Sequence, residues 1–159
     1  MNAVDALNAP ALASLIAALP DGMVVTDPAV TDGYRHDRAL DPSAGEPLAV
    51  VRPRRTDEVQ TVLRWATANR VPVVTRGAGT GLSGGATALD DGVVLSTEKM
   101  RDITIDPVTR TAVCQPGLFN AEVKQAAAEH GLWYPPDPSS FEICSIGAIS
   151  PPTPADCAV

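Results

Sequence analysis

The chain has 159 residues, a formal net charge of −7, 45% apolar residues and only 4% aromatic ones. That length accommodates one domain with a real core, and aliphatic side chains must fill it. An acidic balance without a long run of either sign excludes nucleic acid as the main partner. Arg52, Arg54 and Arg55 form the one basic knot, broken by Pro53, and read as a solvated strand end. The three cysteines, Cys114, Cys144 and Cys157, lack the paired spacing of a zinc or redox site, so no metal site is expected. Cys144 reads as a small packing residue. No signal peptide opens the chain, and the apolar stretch 11–19 is too short to span a bilayer, so no transmembrane segment and a reducing cytoplasm are expected.

Residues 10–19 are rich in Ala and Leu and predict a helix with Pro10 near its first turn, stopped by Pro20, Asp21 and Gly22. The stretch 27–45 is rich in Asp, Pro and Gly and reads as loop, with Tyr34-Arg35-His36-Asp37-Arg38 in its middle. His36 reads there as a surface or hydrogen-bonding residue. Residues 48–51 form a short aliphatic strand. A helix then starts at Thr56, which can cap it, with Asp57 and Glu58 at the positive end of its dipole. Val59, Val62, Leu63 and Ala66 supply its apolar face, and it ends near Asn69.

Val73 and Val74 belong to a second strand, completing a β-α-β arrangement. Residues 93–96 predict a third strand. Ile103 and Ile105 alternate with polar residues as in a half-buried strand, and residues 107–110 turn it back into a partner at 111–115. A second amphipathic helix spans 118–130, with Phe119, Val123 and Ala127 inward, His130 beside its negative end and Gly131 as its C-cap. The proline-rich stretch 132–140 is irregular and stiff.

Between the second and third strands lies Arg76-Gly77-Ala78-Gly79-Thr80-Gly81-Leu82-Ser83-Gly84-Gly85. Glycine at this density lets another molecule approach the main chain, and consecutive N–H groups curled into such a loop form an anion nest. The loop satisfies G-x-G-x-x-G, yet the dinucleotide version needs a helix directly after the glycines, and residues 86–92 leave no room for one. A Walker loop needs a terminal lysine, but the two lysines, Lys99 and Lys124, lie elsewhere. A backbone-only phosphate site survives.

The order of these motifs resembles the FAD-linked oxidases, whose cofactor domain is of the PCMH type shared with vanillyl-alcohol oxidase. Leu48-Ala49-Val50-Val51-Arg52-Pro53, Asp57-Glu58-Val59, the glycine loop, Gln115-Pro116-Gly117 and Tyr134-Pro135-Pro136-Asp137-Pro138-Ser139-Ser140 follow the branch of glycolate oxidase FAD subunits and D-lactate dehydrogenases. The resemblance implies an α+β fold. It implies FAD bound by Arg76, Gly77, Ala78, Gly79, Thr80, Gly81, Leu82, Ser83 and Gly84, with Pro136, Asp137, Ser139, Ser145 and Gly147 lining the flavin and ribityl diphosphate. Residues 72–85 contain no histidine for a covalent link, so FAD is expected to be non-covalent. The implied organisation is an extension at 1–45, a partial FAD domain at 46–147 and a tail at 148–159.

After Ser145-Ile146-Gly147 the family continues Gly-Asn-Ile-Ala-Thr-Asn-Ala-Gly-Gly, whereas this chain reads Ala148-Ile149-Ser150-Pro151-Pro152-Thr153-Pro154-Ala155-Asp156-Cys157-Ala158-Val159. Loss of one base from allowed family codons reproduces that tail and a stop. The expectation is therefore a frameshifted, disordered tail on a truncated chain. Three readings stay open: the FAD part of an oxidoreductase acting on a small 2-hydroxy acid such as D-lactate or glycolate, an inactive remnant of one, or a subunit needing a complementing chain. The substrate would bind only in the full-length enzyme, and no catalytic residue is expected here.

Overall fold

The computed structural model describes residues 3–149. Helix α1 (Ala3–Ala18) contains Pro10 in its interior rather than in its first turn. It leads to strand β1 (Val24–Val25), which the sequence reading passed over, then to α2 (Pro28–Thr31) and one turn of 3-10 helix (Asp32–Tyr34) inside the stretch read as loop. The Asp27 carboxylate accepts the Ala29 N–H and Pro28 opens the helix, so the same Asp and Pro that suggested a loop serve as a helix start.

Strand β2 (Ala49–Val51), helix α3 (Thr56–Asn69) and strand β3 (Val73–Arg76) form the expected β-α-β unit. Strand β4 (Val93–Ser96) then inserts between the two strands and runs parallel to both, giving the order β1-β2-β4-β3. Strand β1 closes the other side antiparallel to β2. A sheet whose central pairs are parallel has both faces covered, here by helices and loops. Leu15 and Leu19 of the α1 region, Val62 of α3, and Val51, Val93 and Leu95 form one cluster; Val50, Val94, Ala88 and Tyr34 pack on the opposite face. Alternation along β2 and β4 thus sends consecutive residues into two different layers.

Two details of α3 differ from expectation. Its N-terminal donors are served by Glu58, whose Oε2 accepts the N–H groups of Arg54 (2.7 Å) and Arg55 (3.0 Å), while Thr56 is already helical. Leu63 faces solvent at 46% exposure, and Trp65 packs against the core instead, its indole N–H donating to the Ala11 carbonyl at 2.8 Å.

Strands β5 (Ile103–Asp106) and β6 (Thr111–Cys114) form a separate antiparallel pair. Helix α4 (Asn120–Glu129) covers it through Val123 and Ala127, with Leu118, Tyr134, Ile103 and Ile105 in the same cluster. Phe119, expected on the inner face, precedes the helix and lines a cleft instead. Gly131 has φ +70°, as a residue just past a helix end requires. The short helix α5 (Ile146–Ile149) runs through the boundary expected after Gly147, so Ala148 and Ile149 are helical. The remainder of the expected tail, 150–159, lies outside the described residues.

Candidate functional site

The glycine loop leaves the end of β3 and, through residues 77–92, contains neither helix nor strand. It separates two clefts. The larger, about 550 Å³, is lined by Arg76 and residues 77–80 together with Tyr34, Arg38, Arg101, Phe119 and Ser145. The smaller, about 460 Å³, lies on the other side, between residues 77–86 of the loop and Asp37, Thr97, Pro116 and Gly147. Both volumes fall in the usual range for small-molecule sites.

The larger cleft is cationic in an acidic protein. Arg38, Arg76 and Arg101 line it, against one carboxylate, Glu98. That carboxylate is already engaged: it accepts the Tyr34 hydroxyl at 3.0 Å and pairs with Arg52 at 3.7 Å. Burial and the neighbouring Glu98 push the Tyr34 hydroxyl above its ordinary pKa, so it remains a donor. The Arg76 guanidinium lies over the Tyr34 ring at 5.6 Å and donates from Nη1 to the His36 carbonyl at 2.7 Å. Burial holds Arg76 below the usual arginine value, while Tyr34, Asp37 and Glu98 act in the opposite direction. Arg101 donates to the Gly117 carbonyl (2.9 Å), stacks on Phe119 (5.0 Å) and pairs with Glu122. The Arg38 side chain has no ion-pair or hydrogen-bond partner among the described residues and is exposed.

Main-chain donors complete the arrangement. The N–H groups of Gly79, Thr80, Gly81, Leu82 and Ser83 have no hydrogen-bond partner among the described residues. Gly79 has φ +70°, a backbone conformation that favours glycine, and a Cβ there would push against the Arg76 guanidinium that lies over the loop. Ala78 donates to the Ser145 hydroxyl at 3.0 Å, tying the loop to the segment before α5. Ser145 is 1% exposed and sits opposite Phe119 in an isolated antiparallel bridge.

The expected site residues therefore divide. Arg76, Gly77, Ala78, Gly79, Thr80 and Ser145 meet at the larger cleft, and Gly81, Ser83 and Gly147 at the smaller. Leu82 is 79% exposed, and Gly84, with φ +76°, makes the turn that returns Thr87 N–H to its carbonyl; neither lines either of these two clefts. Pro136, Asp137 and Ser139 also lie outside both linings, with Asp137 paired to Lys124 at 2.5 Å. Tyr34, Arg38, Glu98, Arg101 and Phe119 were not anticipated. The run from Tyr34 to Arg38 was visible as a polar cluster, but only the sheet brings it to the loop.

This donor set fits a dinucleotide diphosphate: unpaired main-chain N–H groups flanked by guanidiniums, without a phosphate-binding lysine. Among the described residues no cluster of His, Cys, Asp and Glu is placed to hold a metal ion, and no helix is long and apolar enough to cross a membrane.

An α+β domain with a backbone anion loop at the end of a parallel strand defines a class of cofactor-binding domain, and comparison with known proteins specifies it. The FAD binding domain family matches residues 47–150, so the chain belongs to that family and its cofactor is FAD. D-lactate dehydrogenase of Archaeoglobus fulgidus is 40% identical over 122 residues, covering 75% of this chain and 27% of the relative. The glycolate oxidase subunit GlcD of Escherichia coli is 52% identical over 102 residues, covering 64% and 20%. D-2-hydroxyglutarate dehydrogenase of Xanthomonas citri pv. viticola is 41% identical over 141 residues, covering 87% and 29%. The chain thus spans between 20% and 29% of the length of these relatives. Among solved structures, alkyldihydroxyacetonephosphate synthase superposes with a TM-score of 0.79 at 20% identity over 88% of this chain and 28% of that one, which establishes the fold.

Proposed function

We propose that this chain holds the diphosphate of FAD non-covalently on residues 77–83, as the cofactor-binding part of an oxidoreductase acting on a small 2-hydroxy acid of the D-lactate or glycolate type. The observation carrying this reading is the pair of unpaired N–H groups at Gly79 and Thr80, which line the larger cleft with Arg38, Arg76 and Arg101, continued along the loop by those of Gly81, Leu82 and Ser83. FAD held there would supply two-electron oxidation chemistry. The protein contributes charge, shape and order. Arg76, stacked on Tyr34 and fixed to the His36 carbonyl, presents a half-buried positive charge that need not reorganise when an anion arrives. The Ser145 hydroxyl accepts from Ala78 and keeps its own proton free to donate into the cleft.

Three relatives acting on D-lactate, glycolate and D-2-hydroxyglutarate by name support the 2-hydroxy-acid class. In a second reading the groups that bind substrate lie outside the matched domain, and turnover needs a complementing polypeptide. Titration of purified chain into FAD, read by flavin fluorescence, tests the cofactor reading. Saturable quenching is expected, with all flavin released into the supernatant on acid precipitation. Absence of quenching refutes FAD binding, and flavin retained in the pellet refutes the non-covalent form. Dye-coupled oxidation of D-lactate and glycolate, with and without a co-expressed partner, separates the two activity readings.

A further inference from the structure

The family match begins at residue 47, yet the glycine loop is held from behind by residues 35–38. The Arg35 carbonyl accepts Ala88 N–H (2.9 Å), the His36 carbonyl accepts Arg76 Nη1 (2.7 Å), and Arg38 N–H donates to the Gly81 carbonyl (3.0 Å). The fourth tie is the Asp37 carboxylate. Its Oδ1 accepts Ala39 N–H at 2.9 Å, which fixes its own turn, and its Oδ2 accepts Ala86 N–H at 3.5 Å. Asp37 is only 4% exposed, lines the smaller cleft, and a Cβ at Gly81 would lie 3.4 Å from its Oδ2. A buried carboxylate is costly unless it is fully used, and this one is placed where the loop's two arms return.

We propose that Asp37 is a positioning residue for the FAD site: it clamps the loop from the side away from the larger cleft and so keeps the donors of residues 79–83 turned outward. The geometry divides the labour. Arg38 N–H takes the Gly81 carbonyl and the Asp37 carboxylate takes Ala86 N–H, so these two main-chain groups are consumed by the brace, while the N–H groups of residues 79–83 have no partner among the described residues. The charge of Asp37 also acts on Arg76, coupling the brace to the cation beside the loop. The proposal rests on the FAD reading above, and its test is arranged so that the two fail separately.

The test is amide hydrogen exchange on the full chain without ligand, combined with FAD titration, for the unsubstituted protein, Asp37→Ala and Asp37→Asn. Asp37→Ala is expected to speed exchange at the hydrogen-bonded loop amides, Ala86, Thr87 and Ala88, about tenfold or more, the factor a hydrogen bond to a charged group carries, while α3 keeps its protection. FAD affinity should fall by a similar factor. Asp37→Asn, which keeps the Oδ1 acceptor for Ala39, should loosen residues 84–88 less and serves in its place if the alanine variant does not fold. Unchanged loop exchange overturns the proposal, as does acceleration spread equally over α3, which marks a general packing role. Faster loop exchange with unchanged FAD affinity also overturns it. If the unsubstituted chain does not bind FAD, the cofactor reading fails, and loop exchange alone decides whether Asp37 is the brace.

Discussion

The two halves of the molecule solve burial differently. In the parallel sheet, Ala49, Val50 and Val51 of β2 are 0% exposed and every residue of β4 is buried, because α1 and α3 cover one face and the 34–45 and 86–90 segments the other. In the hairpin of β5 and β6, alternate residues face solvent, Val113 at 74% exposure, and α4 covers only one side. The glycine loop issues from the first half, while Ser145, Phe119 and Arg101 approach it from the second. The cleft therefore takes its donor loop from a two-sided core and its opposite wall from a one-sided one.

The contrast can be broken from either side, and the two tryptophans report on it: Trp65 packs against the sheet core, and Trp133 lies 75% exposed next to Tyr134 of the hairpin cluster. The largest effect is expected from Leu15→Ala, which empties a fully buried position and should cost about 2–5 kcal/mol. In urea, a Trp133→Phe background should show the Trp65 transition shifting to lower denaturant. Val123→Ala, also at a 0% exposed site, should cost about 2 kcal/mol. In a Trp65→Phe background, a shift of the Trp133 transition without one in α3 exchange would show that the halves open separately; coincident shifts would show one cooperative unit. Ser145→Ala removes the side-chain bond joining the halves at Ala78 and should cost about 0.5–1.5 kcal/mol, read by exchange at the Ala78 amide. The smallest effect concerns the hairpin turn. Hydrogen bonds from the Thr109 side chain, then the Thr109 and Val108 amides, hold the Asp106 carboxyl below its ordinary pKa. A depressed pKa means its contribution is present above the ordinary aspartate value and is lost as pH falls through the folded one. Amide shifts at Val108 and Thr109 should follow that acid titration, and Asp106→Asn should abolish it.

Much of the sheet half was legible because parallel strands buried on both faces read as continuous aliphatic runs, which bounded β2 and β4 closely. The hairpin was legible for the opposite reason: Ile103 and Ile105 alternate with polar residues. Failures arose where long-range contacts override local pattern. Two-residue β1 is a strand only because β2 lies beside it; the Glu58 cap is a local exception, its carboxylate reaching two main-chain donors just before the helix and displacing Thr56. Leu63 fits the helical stripe, yet Trp65 finds the Ala11 carbonyl and takes the inward place. In the site, the loop announced itself through its glycines and its missing helix. Arg38, Asp37 and Arg101 carry no such mark, since each joins the loop across the fold.

The strand order has a consequence for the timing of assembly. Strands β2 and β3 flank β4 and do not pair with each other, although the chain makes them in the order β2, β3, β4. The helical crossover therefore cannot dock β3 until the whole glycine loop and residues 93–96 have been added, and each pairing waits on a distant segment. The anion loop is the excursion that joins two neighbouring strands, β3 and β4. Its shape therefore depends on the pairing of β3 with β4, so a variant that weakens β4 is expected to weaken cofactor capture as well.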